Sequence, residues 1–403
     1  MDRRSFLSST GAIGLTSTLA TTFTPTLALA QARPLNYYNF SAFSGNFATA
    51  GKYSEMGGRL AIKDFGNKLG RPIEYRKIDT EGNPAVTARK VQQVMEQEKA
   101  RLFSGGSLSS EVLAIMGDVQ KGGGVIFTYV GADEVTGKDC NAATFRWTLP
   151  TYGAVNTVLR PLIEQNPKWK RVYTITGQYV FGEALLRNTK DVLTEKKLEH
   201  VGNSYHSLAE KEYSGYLGNA MASNADVLVI LNFGANTLDL LRQAAAFGLK
   251  SRMEVVVVWF SGLDTFQALG ADLTEGMYFG LQYWHDLVSP FNASFLKSYR
   301  AQYNETPRWW AAAEYQTSTL LFDGVRRAGS DEAPALIKAL EGHKYQGLTG
   351  DEEIRAFDHQ CVKNHLLVRG KKKSAMKNAD DYCDVLSVSR AAISRSASDC
   401  KLT

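Results

Sequence analysis

The chain has 403 residues, 46 lysines and arginines against 41 aspartates and glutamates, and a formal charge of +5. So mild a charge argues against a nucleic-acid footprint and a disordered tail, and the composition is that of an ordinary globular protein. About 370 residues beyond a leader exceed what one hydrophobic core covers, which predicts two domains.

The leader is residues 1–30. Arg3-Arg4 precedes Phe6-Leu7, a weakly apolar run without acidic residues follows, and Ala28-Leu29-Ala30 closes it as an A-x-A cleavage signature. This pattern reads as a twin-arginine export signal. The run is too short and too rich in threonine to anchor in a bilayer, and no cysteine stands at the cleavage point. A soluble mature chain beginning near Gln31, placed in the periplasm, is expected.

From residue 34 strands and helices alternate. Leu35 to Phe43 reads as a strand, and Gly51 to Leu69 as a helix with Met56, Leu60, Ala61 and Phe65 on one face. Pro72 to Asp79 is a strand, and Asn83-Pro84 opens a helix with Asn as cap and Pro in the first turn. Leu102-Phe103, a helix from Ser109 to Val119 and a strand from Val125 to Val130 complete the first block.

After Pro150 the rhythm restarts, with helices at 152–163, 182–193 and 236–249 and strands at 171–176, 225–233 and 254–259. Glu254 to Trp259 is almost wholly apolar, as in a strand buried on both faces of a parallel sheet. The third region differs: Pro290 to Tyr303, Trp309 to Arg327 and Glu332 to Leu340 are helices with little strand between them.

This order predicts an α/β fold of two doubly wound parallel-sheet lobes. The late helices return to cover the first lobe, and a strand-rich tail at 365–389 finishes the second. Lobe 1 is then 31–151 with 283–358, and lobe 2 is 152–282 with 359–403. Hinge crossings are expected near Tyr152, Leu281-Gln282 and His359-Gln360. A ligand would sit in the cleft, at the carboxyl ends of the strands.

The cysteines are Cys140, Cys361, Cys383 and Cys400. Four allow three pairings, and an exported protein permits disulfides. Cys361 with Cys383, flanking an expected hairpin with Lys371-Lys372-Lys373 at its tip, is one pair; Cys140 with Cys400 would then tie the tail to the body. Without C-x-x-C, and with scattered histidines, no metal site is expected. Nor is a G-x-S-x-G elbow, H-E-x-x-H, Walker loop or G-x-G-x-x-G present, so neither an enzyme nor a cofactor is expected. His285-Asp286 reads as a surface loop.

Several segments together carry a family resemblance. They are Phe43-Ser44-Gly45 through Gly51, Asp79 to Pro84, Gly105-Gly106 to Ser110, Gln178 to Glu183, and Leu241 to Ala244 with Gly248-Leu249. In order and spacing they resemble periplasmic solute-binding proteins of branched-chain amino acid ABC transporters, of the type I binding-protein fold, over most of the mature chain. The resemblance implies a monomer that closes two lobes around a small ligand (an amino acid, amide or aromatic carboxylate) and delivers it to a membrane permease. An exported α/β hydrolase or a ligand-sensing receptor subunit of the same fold is the alternative.

By the same resemblance, Ser109 and Ser110 hold the ligand carboxylate by hydroxyl and helix-start amides, a favourable arrangement for an anion. Gly131, Ala132 and Asp133 form a second contact; Asp133 either meets a cationic group of the ligand or is an exposed turn residue. Phe181 and Phe233 stand where tyrosines are frequent, and Phe260 and Ser261 stand near a position that typically carries an acid for the ligand's ammonium. With Tyr179, Trp259 and Trp310 they make an apolar, aromatic cleft. The family's frequent cysteine pair is absent, Gly82 and Ser109 standing in its place.

Overall fold

The computed structural model describes residues 33–402; the twin-arginine leader and its cleavage signature lie outside the described residues. The first stretch runs β1 (Leu35–Ser41), α1 (Ala48–Phe65), β2 (Ile73–Asp79), α2 (Pro84–Gln97), β3 (Leu102–Gly105), α3 (Ser109–Lys121), β4 (Val125–Thr128) and β5 (Thr144–Arg146). The second runs α4 (Thr151–Gln165), β6 (Arg171–Gly177), α5 (Val180–Glu195), β7 (Glu199–His206), α6 (Ser214–Ala222), β8 (Val227–Leu231), α7 (Ala235–Ala246), β9 (Glu254–Phe260), α8 (Leu263–Leu269), α9 (Ala271–Thr274) and β10 (Tyr278–Leu281). The third holds α10 (Pro290–Tyr303), α11 (Trp309–Ala328), α12 (Ala333–Leu340), β11 (Lys344–Gly347), β12 (Gly350–Ile354), β13 (Cys361–Val362), β14 (His365–Gly370) and β15 (Cys383–Ser389).

Two main sheets follow. One is five-stranded and parallel, in the order β2-β1-β3-β4-β5. The other is seven-stranded, in the order β15-β14-β10-β9-β8-β6-β7, parallel from β10 to β7 and closed by the antiparallel β14 and β15. A small antiparallel sheet, β11-β12-β13, accompanies them. The late helices return to the first lobe: α11 packs along α1 and against β3 and β4. Small residues make that approach close; a Cβ on Gly57 would stand 2.2 Å from the Ala311 carbonyl oxygen. Asn83 caps α2 as its sequence predicts, its side chain accepting from the Ala85 N–H at 2.9 Å.

The chain passes between the main sheets after β5, after β10 and after β13. Polar side chains tie these passages together. Gln282 Oε1 accepts the Leu149 N–H at 3.0 Å, Gln360 Nε2 donates to Thr148 O at 2.7 Å, and Lys363 Nζ donates to Gln282 O at 2.7 Å. Lys363 is fully buried, and burial lowers its ammonium to about 8.

Two expectations need correction. Cys140 and Cys400 are joined, but Cys361 and Cys383 are free and buried. Cys383 pairs with Gly370 at one end of β14, whereas Cys361 precedes the other end and belongs to β13. A six-residue strand spans about 20 Å, far beyond a disulfide's reach. His285 is buried, not on a surface loop: its ring packs on Trp284 with centroids 4.3 Å apart, and its carbonyl accepts from Asn292 at 2.9 Å.

Candidate ligand-binding site

The carboxyl ends of the parallel strands from both sheets converge on a small cavity. The first lobe supplies the loop Gly106–Leu108, Ser109, the segment Tyr129–Gly131, and Trp309 and Trp310 at the start of α11. The second supplies Tyr179, Phe181, Phe233 and Trp259, all at or just beyond strand ends.

The aromatic rings meet at their edges, as their quadrupoles favour. Phe181 stands edge-on to Trp259 with centroids 5.1 Å apart, and Tyr129 edge-on to Trp309 and Trp310 at 5.7 and 5.9 Å. Phe233 reaches across the cleft to Trp310 at 5.3 Å. Tyr129 is fixed from behind by a buried polar network. Its hydroxyl is 3.0 Å from Ser54 Oγ, which donates to Glu314 Oε2 at 3.3 Å, while Tyr37 donates to Glu314 Oε1. Burial pushes the Glu314 carboxyl upward.

The polar groups around α3 are arranged differently from expectation. Glu111 Oε2 accepts the Ser107 and Leu108 amides at 2.8 and 2.9 Å, so this protein's own carboxylate occupies part of the helix-start cradle. Burial raises the Glu111 carboxyl. Ser109 Oγ accepts the Ala132 N–H at 3.1 Å, which leaves its hydroxyl proton free to donate into the cavity.

Of the residues singled out in the sequence, Ser109, Gly131, Tyr179, Phe181, Phe233, Trp259 and Trp310 line the cavity. Ser110 does not, and Ala132 lies behind the wall, its carbonyl taken by Arg146. Asp133 stands outside the cavity wall and is only partly exposed. Its Oδ1 accepts the Tyr152 N–H at 2.9 Å and its Oδ2 accepts from Asn188 at 2.6 Å, so both oxygens are engaged by the second lobe. Phe260 packs in the second lobe's core, 4.4 Å from Phe279 and 4.8 Å from Phe266 between centroids. Successive residues of a strand point to opposite faces, so Trp259 and Phe260 could not both reach the cleft. Ser261 lines an adjoining cavity together with Asp264, on the far side of Trp310. Asp264 is burial-shifted to about 6.

Sequence reasoning missed Gly106, Ser107, Leu108, Tyr129, Val130 and Trp309. Tyr129 was open to the strand-end argument that found Phe181, since it follows β4 directly.

Comparison with known proteins bears on the family and the fold. The family described as periplasmic binding protein matches residues 39–375. An amino acid ABC transporter substrate-binding protein from Pseudomonas fluorescens Pf-5 superimposes with a TM-score of 0.88 at 50% identity, covering 92% of this chain and 100% of that one. A solute-binding protein from R. palustris, solved with benzoate, is 24% identical and gives a TM-score of 0.81 over 92% of this chain and 100% of its own. The Leu/Ile/Val-binding protein homolog 4 of Brucella abortus is 23% identical over 381 residues, 87% of each chain.

Proposed function

Because the chain belongs to the periplasmic binding protein family, we propose that it is the solute receptor of an ABC importer. It takes a small carboxylate ligand, such as an amino acid or an aromatic acid, closes its lobes around it and presents it to a membrane permease. One observation carries this reading: a single cavity walled by aromatic rings from both lobes, with the Ser109 hydroxyl at the start of α3 in its wall. A ligand touching both lobes binds the closed form better and shifts the population toward it. We assign the lobes as 31–151 with 283–358 and 152–282 with 359–403, although the chain rejoins the seven-stranded sheet only at β14, after β13 has paired with β12.

Calorimetry with benzoate, leucine and phenylalanine tests the reading. Ser109→Ala should weaken the tightest of them by about 1–3 kcal/mol, the worth of a hydrogen bond to a charged group. Ser110→Ala should leave it unchanged, because Ser110 stands outside the cavity wall. Equal losses in both variants would return the carboxylate to the helix start as a whole. The ligand should be recovered chemically unaltered; turnover that scales with protein would expose a missed active site.

Export rests on the sequence of the leader. Among the described residues no helix is long and apolar enough to cross a membrane. Arg3→Lys combined with Arg4→Lys should leave precursor in the cytoplasm, as shown by fractionation, and normal export of that variant would rule out the twin-arginine route.

A further inference from the structure

The polar groups of the cavity are unequal in kind. Among the described residues no aspartate or glutamate lines it. Apart from the Tyr179 hydroxyl, the side-chain acceptors of its wall are engaged within the protein, as are the carbonyls of Val130 and Gly131. Val130 O accepts from Thr148 Oγ1 at 3.1 Å and Gly131 O accepts the Thr151 N–H at 2.8 Å. Ser107 Oγ accepts the Ala42 N–H at 2.9 Å and is 2.9 Å from Ser41 Oγ, and the Tyr129 hydroxyl is held by Ser54. Ser109 Oγ already accepts from Ala132.

Donors remain. Besides the Ser109 hydroxyl there is Trp309, which is 4% exposed, lines the cavity and has no hydrogen-bond partner for its Nε1–H among the described residues. A buried indole N–H without an acceptor costs free energy comparable to a lost hydrogen bond. Native buried polar groups are nearly always paired, and an orphan in a ligand cavity is accounted for when the ligand brings the acceptor.

We infer that Trp309 Nε1–H is a second ligand donor, acting with the Ser109 hydroxyl on the oxygens of a carboxylate, and that the preferred ligand has an apolar aromatic or branched body and no amino group. This rests on the proposed receptor function and narrows its ligand class. An ammonium finds no carboxylate in this wall and, besides the aromatic faces, only the Tyr179 hydroxyl among its side-chain acceptors, so its desolvation is poorly compensated. Glu111, behind the wall, is occupied by the Ser107 and Leu108 amides, and Asp264 belongs to the adjoining cavity.

The test pairs 3-phenylpropanoate with phenylalanine, which share a skeleton and differ by the amine. By calorimetry on the mature protein, 3-phenylpropanoate should bind at least about tenfold more tightly, and Trp309→Phe should weaken it by about tenfold, as loss of a hydrogen bond to a charged group predicts. In nitrogen–proton correlation spectra, the indole N–H signal that Trp309→Phe removes should move downfield on saturation with 3-phenylpropanoate. Binding with that signal unmoved overturns the role of Trp309 while leaving the receptor reading intact. Phenylalanine binding as tightly as its deaminated partner overturns the ligand class. If no small carboxylate binds, the receptor reading and this inference fall together.

Discussion

Valine in place of Gly131 should abolish ligand binding without unfolding the chain. Gly131 belongs to the first lobe, and a Cβ there would stand 2.5 Å from Phe181 Cε2 and 2.7 Å from Trp259 Cη2 and Cζ3, both of the second. The backbone at Gly131 needs no positive φ, so a side chain does not strain the segment itself. The conflict arises only across the cleft, where opening of the lobes relieves it. Overpacking of this kind costs about 1–3 kcal/mol, which is charged against the closed state alone and shifts the closure equilibrium accordingly. The added methyl groups also occupy volume in an already small cavity. Together the two effects should raise the dissociation constant by about a hundredfold or more. Circular dichroism and melting temperature should match the parent, and small-angle scattering should show no compaction on adding ligand. Parental affinity in Gly131→Val would mean that the ligand lies elsewhere.

The lobes were legible in the sequence because their strands are buried on both faces. Val255 to Val258 are each at most 2% exposed, and a run so apolar can hardly be anything else. Helices with explicit start signals were legible too: Pro290–Tyr303 begins and ends where the sequence predicts. What escaped was edge and surface structure. β7, Glu199–His206, is a sheet edge whose residues are mostly half-exposed and polar, so neither periodicity nor hydrophobicity marks it. β11 and β12 carry charges on a small antiparallel sheet and escape for the same reason.

Within the cavity, the aromatics at second-lobe strand ends were found because topology alone aims strand ends at the cleft. Trp309 was not, although its neighbour Trp310 on the same first turn of α11 was singled out, and both line the cavity. Asp133 was misjudged as well. Its partners, Tyr152 and Asn188, come from helices whose position depends on the hinge, and no local pattern announces them.

Removing the Cys140–Cys400 bond should produce the largest loss of stability of any change remote from the cavity. The two residues are 260 positions apart. Loop-closure entropy rises with the logarithm of loop length, so a span of this size falls in the upper part of the usual range, about 2–5 kcal/mol. The bond is also placed where connectivity matters. Cys140 follows β4 of the first sheet, and the tail bearing Cys400 leaves β15 at the edge of the second. The tail returns across the molecule, with Arg355 Nη1 donating to Ile393 O at 2.6 Å. The disulfide therefore fixes the two lobes together by a route separate from the hinge strands. Cys140→Ser with Cys400→Ser should lower the free energy of unfolding by that amount in denaturant titrations, while ligand affinity changes little because neither residue lines the cavity. Denatured, unreduced parent protein should titrate as two thiols, those of Cys361 and Cys383, and as four after reduction. Four thiols before reduction would mean that the bond does not form, and an unchanged unfolding free energy in the double variant would mean that it stabilises nothing.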